Sequence, residues 1–157
     1  MPDIFTLLKD ADDKKAYAFF REIKKESEKS SVHYADFEGF AELLEDASSY
    51  VRTRGFSLCC AQARWDVEGK LQRSLPRLLL MLRDDRPTAV RQCIKALYEV
   101  VEYRDELCDA VEAGLSGMEL SKYSDSMRPL IKKDIDALIK KIDKQKMRQK
   151  ISREVTL

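Results

Sequence analysis

The run Leu75-Pro76-Arg77-Leu78, followed by Leu82, Asp85, Val90-Arg91 and Leu97, echoes an earlier set 39 residues upstream: Leu43, Asp46, Val51-Arg52 and Leu58. A shared period near 40 residues, in a chain without strand-like alternation, implies helical hairpins stacked so that each buries its apolar face on its neighbours. Only five Gly and four Pro occur, while Lys, Glu, Leu and Ala are plentiful, which favours helix. With 157 residues the chain is long enough for one well-formed domain.

Charge is abundant but balanced, 29 basic against 28 acidic side chains, so the total offers no argument for nucleic acid or membrane. The start, Met1-Pro2-Asp3-Ile4-Phe5, lacks the basic-then-apolar pattern of a secretory signal. No stretch approaches the roughly 18 apolar residues that span a bilayer. Cys59, Cys60, Cys93 and Cys108 show no Cys-x-x-Cys spacing, and an adjacent pair inside a helical pattern is a poor disulfide staple. Buried, reduced thiols in a cytoplasmic protein are expected.

The helical pattern can be followed along the chain. A short helix from Asp3 to about Asp10 carries Ile4, Phe5, Leu7 and Leu8 and serves as half of an end-capping unit. The next runs from Asp12 or Asp13 to Lys29 on a stripe of Ala16, Phe19, Phe20 and Ile23, with acids first and Lys last, as the helix dipole favours. After the linker Ser30-Ser31-Val32, a helix over Tyr34 to Glu45 pairs with one capped by Ser48 or Ser49 and ending near Trp65. A third pair starts near Asp66. Pro76 should interrupt and kink its first helix, and Pro87 opens its second, where a missing N–H costs little. A helix from Arg104 to Ala113 should stop at Gly114 and Gly117. The last, with Ser124 or Ser126 as cap and Pro129 in its first turn, buries Ile131, Ile135, Leu138 and Ile142.

Leu-Pro-x-Leu, Asp at the turn and Val-Arg six residues beyond it resemble the HEAT repeat. A second copy keeps Asp46, Val51-Arg52 and Leu58 without the proline, and a third survives as Ile131-Lys132 and Ala137-Leu138. More narrowly, Tyr50-Val51-Arg52-Thr53-Arg54-Gly55, Ala63-Arg64-Trp65-Asp66, Arg86 through Ile94, and Ser126 through Ile135 resemble a small bacterial group of HEAT-like proteins. The resemblance implies an all-α fold, an α-α superhelix or HEAT-like solenoid of about four antiparallel helix pairs. It implies no activity. The solenoid is expected over residues 1–143, with 144–157 as a basic tail, partly helical or disordered.

Arg52 and Arg91 occupy matching places in successive second helices. They could form a basic ladder on the concave face for phosphates or carboxylates, or each could simply bond Asp46 or Asp85 at its own or the adjacent turn, which is the favoured reading. Arg54 has no obvious partner and is the better ligand candidate. Gln92, Lys95, Lys132 and Lys133 also lie in second helices and could reach the same groove. Trp65-Asp66 loosely resembles the aromatic-plus-aspartate arrangement of HEAT-like DNA alkylation-repair glycosylases. The plainer expectation is that Trp65 packs at a helix end and Asp66 caps the next helix.

His33 stands alone in a linker. No phosphate loop, His-Glu-x-x-His or Ser–His–Asp set can be assembled, so neither enzyme, metal nor cofactor is expected. Lys140, Lys141, Lys144, Lys146, Arg148, Lys150 and Arg153 make the tail cationic, but it has no aromatics to stack on bases. The expected function is a non-enzymatic interaction module, a scaffold that binds another protein or an acidic peptide through the concave face, with Arg52, Arg54, Arg91, Gln92, Lys95, Lys132 and Lys133 at the contact. The alternative is a nucleic-acid-binding module related to the repair proteins. A monomer or weak dimer is expected, the dimer forming through an incompletely capping first helix.

Overall fold

The computed structural model describes residues 3–156, and among these all regular secondary structure is helical, with no strand. Eight α-helices follow one another: α1 (Ile4–Leu8), α2 (Asp13–Lys29), α3 (Phe37–Glu42), α4 (Ser49–Ala61), α5 (Lys70–Leu79), α6 (Pro87–Tyr103), α7 (Cys108–Ser116) and α8 (Arg128–Thr156). Tight 3-10 turns lead into α3 and α7 and close α3, α4 and α5. The even-numbered helices pack in chain order, α2 on α4, α4 on α6 and α6 on α8, while the odd-numbered ones lie against them.

Local chemistry sets many of the boundaries. The Asp3 carboxylate accepts the Thr6 N–H at 2.8 Å, and that of Asp12 accepts Lys14 N–H at 3.1 Å, so both acids satisfy free donors at helix starts. Pro87 is the first residue of α6, where proline fits. Helix α4 sits at the centre. Phe56, Leu58, Cys59 and Cys60 are fully buried, covering more than one face of the helix, as a helix surrounded by protein must be. Gly55 permits its contact with the preceding hairpin: a Cβ there would lie 2.6 Å from the Phe40 carbonyl oxygen. The stripe of Ile131, Ile135, Leu138 and Ile142 is buried along α8, as the spacing predicts.

Several expectations need correction. Pro76 does not end its helix: α5 runs through it to Leu79 before tightening into a 3-10 turn. The ring is on an exposed side, where the carbonyl freed one turn earlier can meet water. Gly114 lies inside α7, and the stop comes only at Gly117. A Cβ on Gly114 would lie 3.2 Å from a Leu79 methyl, so this glycine serves packing against the end of α5. No side chain at Ser48 caps α4. Asp46 instead fixes the turn that leads into the helix, accepting the Ser48 N–H at 2.9 Å.

Asp84 accepts the Arg86 N–H in the same way, also at 2.9 Å. The counterpart of Asp46 is therefore Asp84, and Asp85 is exposed to solvent. Between these two turns the interval is one residue shorter than the 39 residues that separate Val51 from Val90 and Leu58 from Leu97, all four of which are buried.

Residue 143 marks no break in the last helix. Helix α8 continues to Thr156, with Gln145 buried. The Gln145 amide donates to the Glu102 carbonyl at 3.1 Å and to Asp105 at 2.8 Å. Lys146 pairs with Asp109 at 2.7 Å and Glu112 at 3.1 Å, which holds its amine above the usual lysine range. Partners on α6 and α7 thus keep the helix packed where its aliphatic stripe has already ended.

Candidate partner-binding groove

The seven basic and amide side chains singled out from the sequence do not form one strip. Arg52 donates to Asp84 through Nε at 3.0 Å and Nη2 at 2.8 Å, and to the Asp46 and Ala47 carbonyls through Nη1, each at 3.0 Å. It bonds its own turn only through backbone carbonyls, and its carboxylate partner lies in the following hairpin. Arg91 bypasses Asp85 as well: its Nε meets Asp134 of α8 at 2.6 Å, and this bond raises its pKa. Both arginines tie one even-numbered helix to the next element of the stack.

Arg54 has partners after all. It is 5 % exposed, donating to the Leu8 carbonyl at 2.9 Å and to Asp13 at 3.1 Å. This guanidinium anchors the α1–α2 hairpin to α4. Lys132 and Lys133 are exposed on α8 but line neither of the two cavities that cross the even-numbered helices. Gln92 and Lys95 are exposed and line both.

The larger cavity, about 470 Å³, opens across α2, α4 and α6. Helix α2 contributes Lys14, Tyr17, Phe20 and Lys24, and α4 contributes Tyr50, Thr53 and Ser57. Helix α6 adds Ala89, Gln92, Lys95 and Ala96. Tyr17 and Tyr50 are more than half exposed, at 53 % and 63 %, so aromatic surface stands open at the mouth. Asp13 is the only carboxylate among the lining residues, and it already faces Arg54. Among the described residues no ion pair joins Lys14, Lys24 or Lys95 to an acid. The groove is therefore apolar and aromatic at its walls and cationic at its rim.

The second cavity, about 390 Å³ between α6 and α8, has a different balance. Arg91 and Asp134 neutralise each other on its wall, leaving Lys95 as its one cation outside an ion pair among the described residues. Sequence reading placed the contact on α4, α6 and α8 and missed α2 entirely. The signal available was Lys14, Tyr17 and Lys24, which lie off the buried stripe of α2 at helical spacing.

The remaining candidates have structural roles. Trp65 donates its indole N–H to the Ser27 carbonyl at 2.7 Å. Asp66 accepts from the Tyr34 hydroxyl at 2.6 Å and from the Lys70 and Leu71 N–H groups at 2.8 and 3.1 Å, capping α5 as expected. Burial, then the bond to Asp66, pushes the Tyr34 phenol up to about 12. His33 is not alone, since its ring nitrogens lie 3.1 Å from Glu26 and 3.4 Å from Asp36. All four cysteines are free and buried. Burial raises each thiol, Cys108 to about 11, which suppresses the reactive thiolate.

Glu99, on α6 beyond Ala96, is raised by burial against the opposing pull of Arg64, whose Nη2 is 3.7 Å away, and of Lys24. Among the described residues no His, Cys, Asp and Glu cluster could hold a metal ion, and no helix is long and apolar enough to cross a membrane. Comparison with protein-family models, with curated proteins and with solved structures finds no match.

Proposed function

We propose that this chain is a short HEAT-like solenoid that acts as a non-enzymatic interaction module, docking an acidic partner protein in the groove formed by α2, α4 and α6. The repeated hairpins and the in-line packing of the even-numbered helices support the solenoid, whose inner helices would then make the concave face. One observation carries the binding reading. Three amines and two open tyrosines surround an apolar cavity whose only carboxylate is already paired. A mostly apolar pocket with a few polar groups is the ordinary form of a recognition site. Buried thiols suit the reducing cytoplasm, where we place the protein without cofactor or catalytic role. We take it as a monomer, or a weak dimer through the partly exposed apolar residues of α1.

The nucleic-acid alternative needed Arg52, Arg54, Arg91 and the Lys132-Lys133 pair as one continuous exposed strip. With Asp84, Asp13 and Asp134 engaging these guanidiniums, that strip is absent. Photo-crosslinking in native cell extract tests the proposal, with a benzophenone side chain placed at Gln92 in the groove or at Glu42 on the hairpin face. Discrete protein adducts from position 92, diminished by Lys95→Glu and missing at position 42, are expected. Equal adducts from both positions, or none from 92, overturn it. Retention of duplex DNA at low salt, lost in the Lys95→Glu chain, would return the nucleic-acid reading in its place.

A further inference from the structure

Ser57 gives the groove a specificity that its charge alone does not. The residue is 8 % exposed, lines the cavity from α4, and has no hydrogen-bond partner among the described residues. Its neighbour one turn earlier, Thr53, already donates to the Ser49 carbonyl at 2.7 Å. A hydroxyl left without a protein partner, beside a cavity lined by Tyr17, Phe20 and Ala96, is matched by a ligand that is apolar along its length and polar at its tip. The dimensions limit the ligand further. A space of about 470 Å³ takes a few side chains and not the face of a folded domain.

We infer that the occupant is a short linear acidic segment that inserts one tyrosine between Tyr17 and Tyr50, its phenol hydroxyl bonded to Ser57 and its flanking carboxylates on Lys14, Lys24 and Lys95. This rests on the interaction-module reading and names the partner's chemistry. The ring supplies buried apolar area and aromatic contact, Ser57 selects the ring's polar tip, and the rim amines favour approach of an anionic chain. Lys95 stands on the ridge shared with the α6–α8 cavity, so it also meets the segment where it leaves the groove.

The test uses the full chain and a synthetic blocked peptide with one central tyrosine between two runs of three glutamates. Dissociation constants come from amide shifts of the labelled protein. Binding that perturbs Tyr50, Ser57 and Lys95 is expected, weakened at least tenfold when alanine replaces the tyrosine. Phenylalanine in its place should cost about fivefold, the size of one net hydrogen bond, and Ser57→Ala should abolish that difference. Lys95→Glu should weaken the tyrosine peptide about tenfold, while Lys132→Glu leaves it unchanged.

Equal affinity for the alanine peptide, or for one with lysines replacing the glutamates, overturns the inference. A tyrosine preference that survives Ser57→Ala removes Ser57 from the site and overturns the assignment of the tip. Groove adducts in extract together with no peptide binding would sink the linear segment alone and leave the interaction module standing. Peptide binding without groove adducts would do the reverse.

Discussion

The two cavities that meet at Gln92 and Lys95 both open between even-numbered helices, yet they present opposite chemistry. Between α6 and α8, basic side chains find acids: Arg91 meets Asp134, and Lys141 meets Glu102 at 2.5 Å, lowering the carboxyl pKa of Glu102. Between α2 and α6, across α4, the amines of Lys14 and Lys95 face hydroxyls, an amide and aromatic rings, and Lys24 meets Glu99 only at electrostatic range, without an ion pair. The lesson is that a count of cations along an inner face predicts little. What matters is whether a carboxylate stands opposite, and that depends on how the next hairpin is set.

The largest effect should come from the residue that frames the open groove. Arg54→Met removes two charged hydrogen bonds and leaves the Leu8 carbonyl unsatisfied, which should cost about 2 kcal/mol in denaturant melts. Hydrogen exchange should then rise first at the α1–α2 hairpin. If exchange rises uniformly instead, Arg54 is not what fastens that hairpin. On the closed side, ending the chain at residue 143 deletes the Gln145 and Lys146 partnerships and should also cost about 2 kcal/mol. Ending it at 149 should cost no more than about 0.5 kcal/mol. Equal losses would show that α8 is held by something beyond these two residues.

The paired arginines should separate next. Arg52→Ala loses a well-shielded carboxylate and two backbone carbonyls, about 1.5 kcal/mol. Arg91→Ala, at a more exposed pair, should stay within about 1 kcal/mol. A reversed order would mean that the α6–α8 contact is the stronger seam. The smallest effect concerns pH.

Burial raises the Glu99 pKa in the folded state, so the folded chain holds that proton more tightly than the unfolded one. Its contribution is then fully present at acidic pH below the ordinary glutamate value and is lost as pH rises through the raised value. Glu99→Gln should therefore gain melting temperature relative to wild type across that interval, read from thermal melts at half-unit pH steps from pH 4. A difference that shrinks as pH rises would assign Arg64 the dominant influence on Glu99.

Much of the fold could be read because its signals are local. Asp12, Asp66 and Pro87 mark helix starts through short-range hydrogen bonding or ring geometry, and the α8 stripe is a single helical period. The groove was half legible: Gln92 and Lys95 were found from their places in α6, while Lys14, Tyr17, Lys24 and Tyr50 were not. Off-stripe residues look like ordinary solvated surface until a neighbouring helix turns them toward a cavity. Pro76 and Gly114 misled for the same reason, since each has a familiar local effect that packing and exposure override.

Sequence by itself determined that this chain is helical and where most of its helices begin, since hydrophobic period and capping act within a few residues. Tertiary structure decided which charges remain available. Arg52 reaches Asp84, Arg54 reaches Asp13 and Leu8, and Arg91 reaches Asp134, all across intervals that a local pattern cannot span. A charge is cancelled by whatever lies within a few ångströms of it, and that distance is set by the packing of whole hairpins.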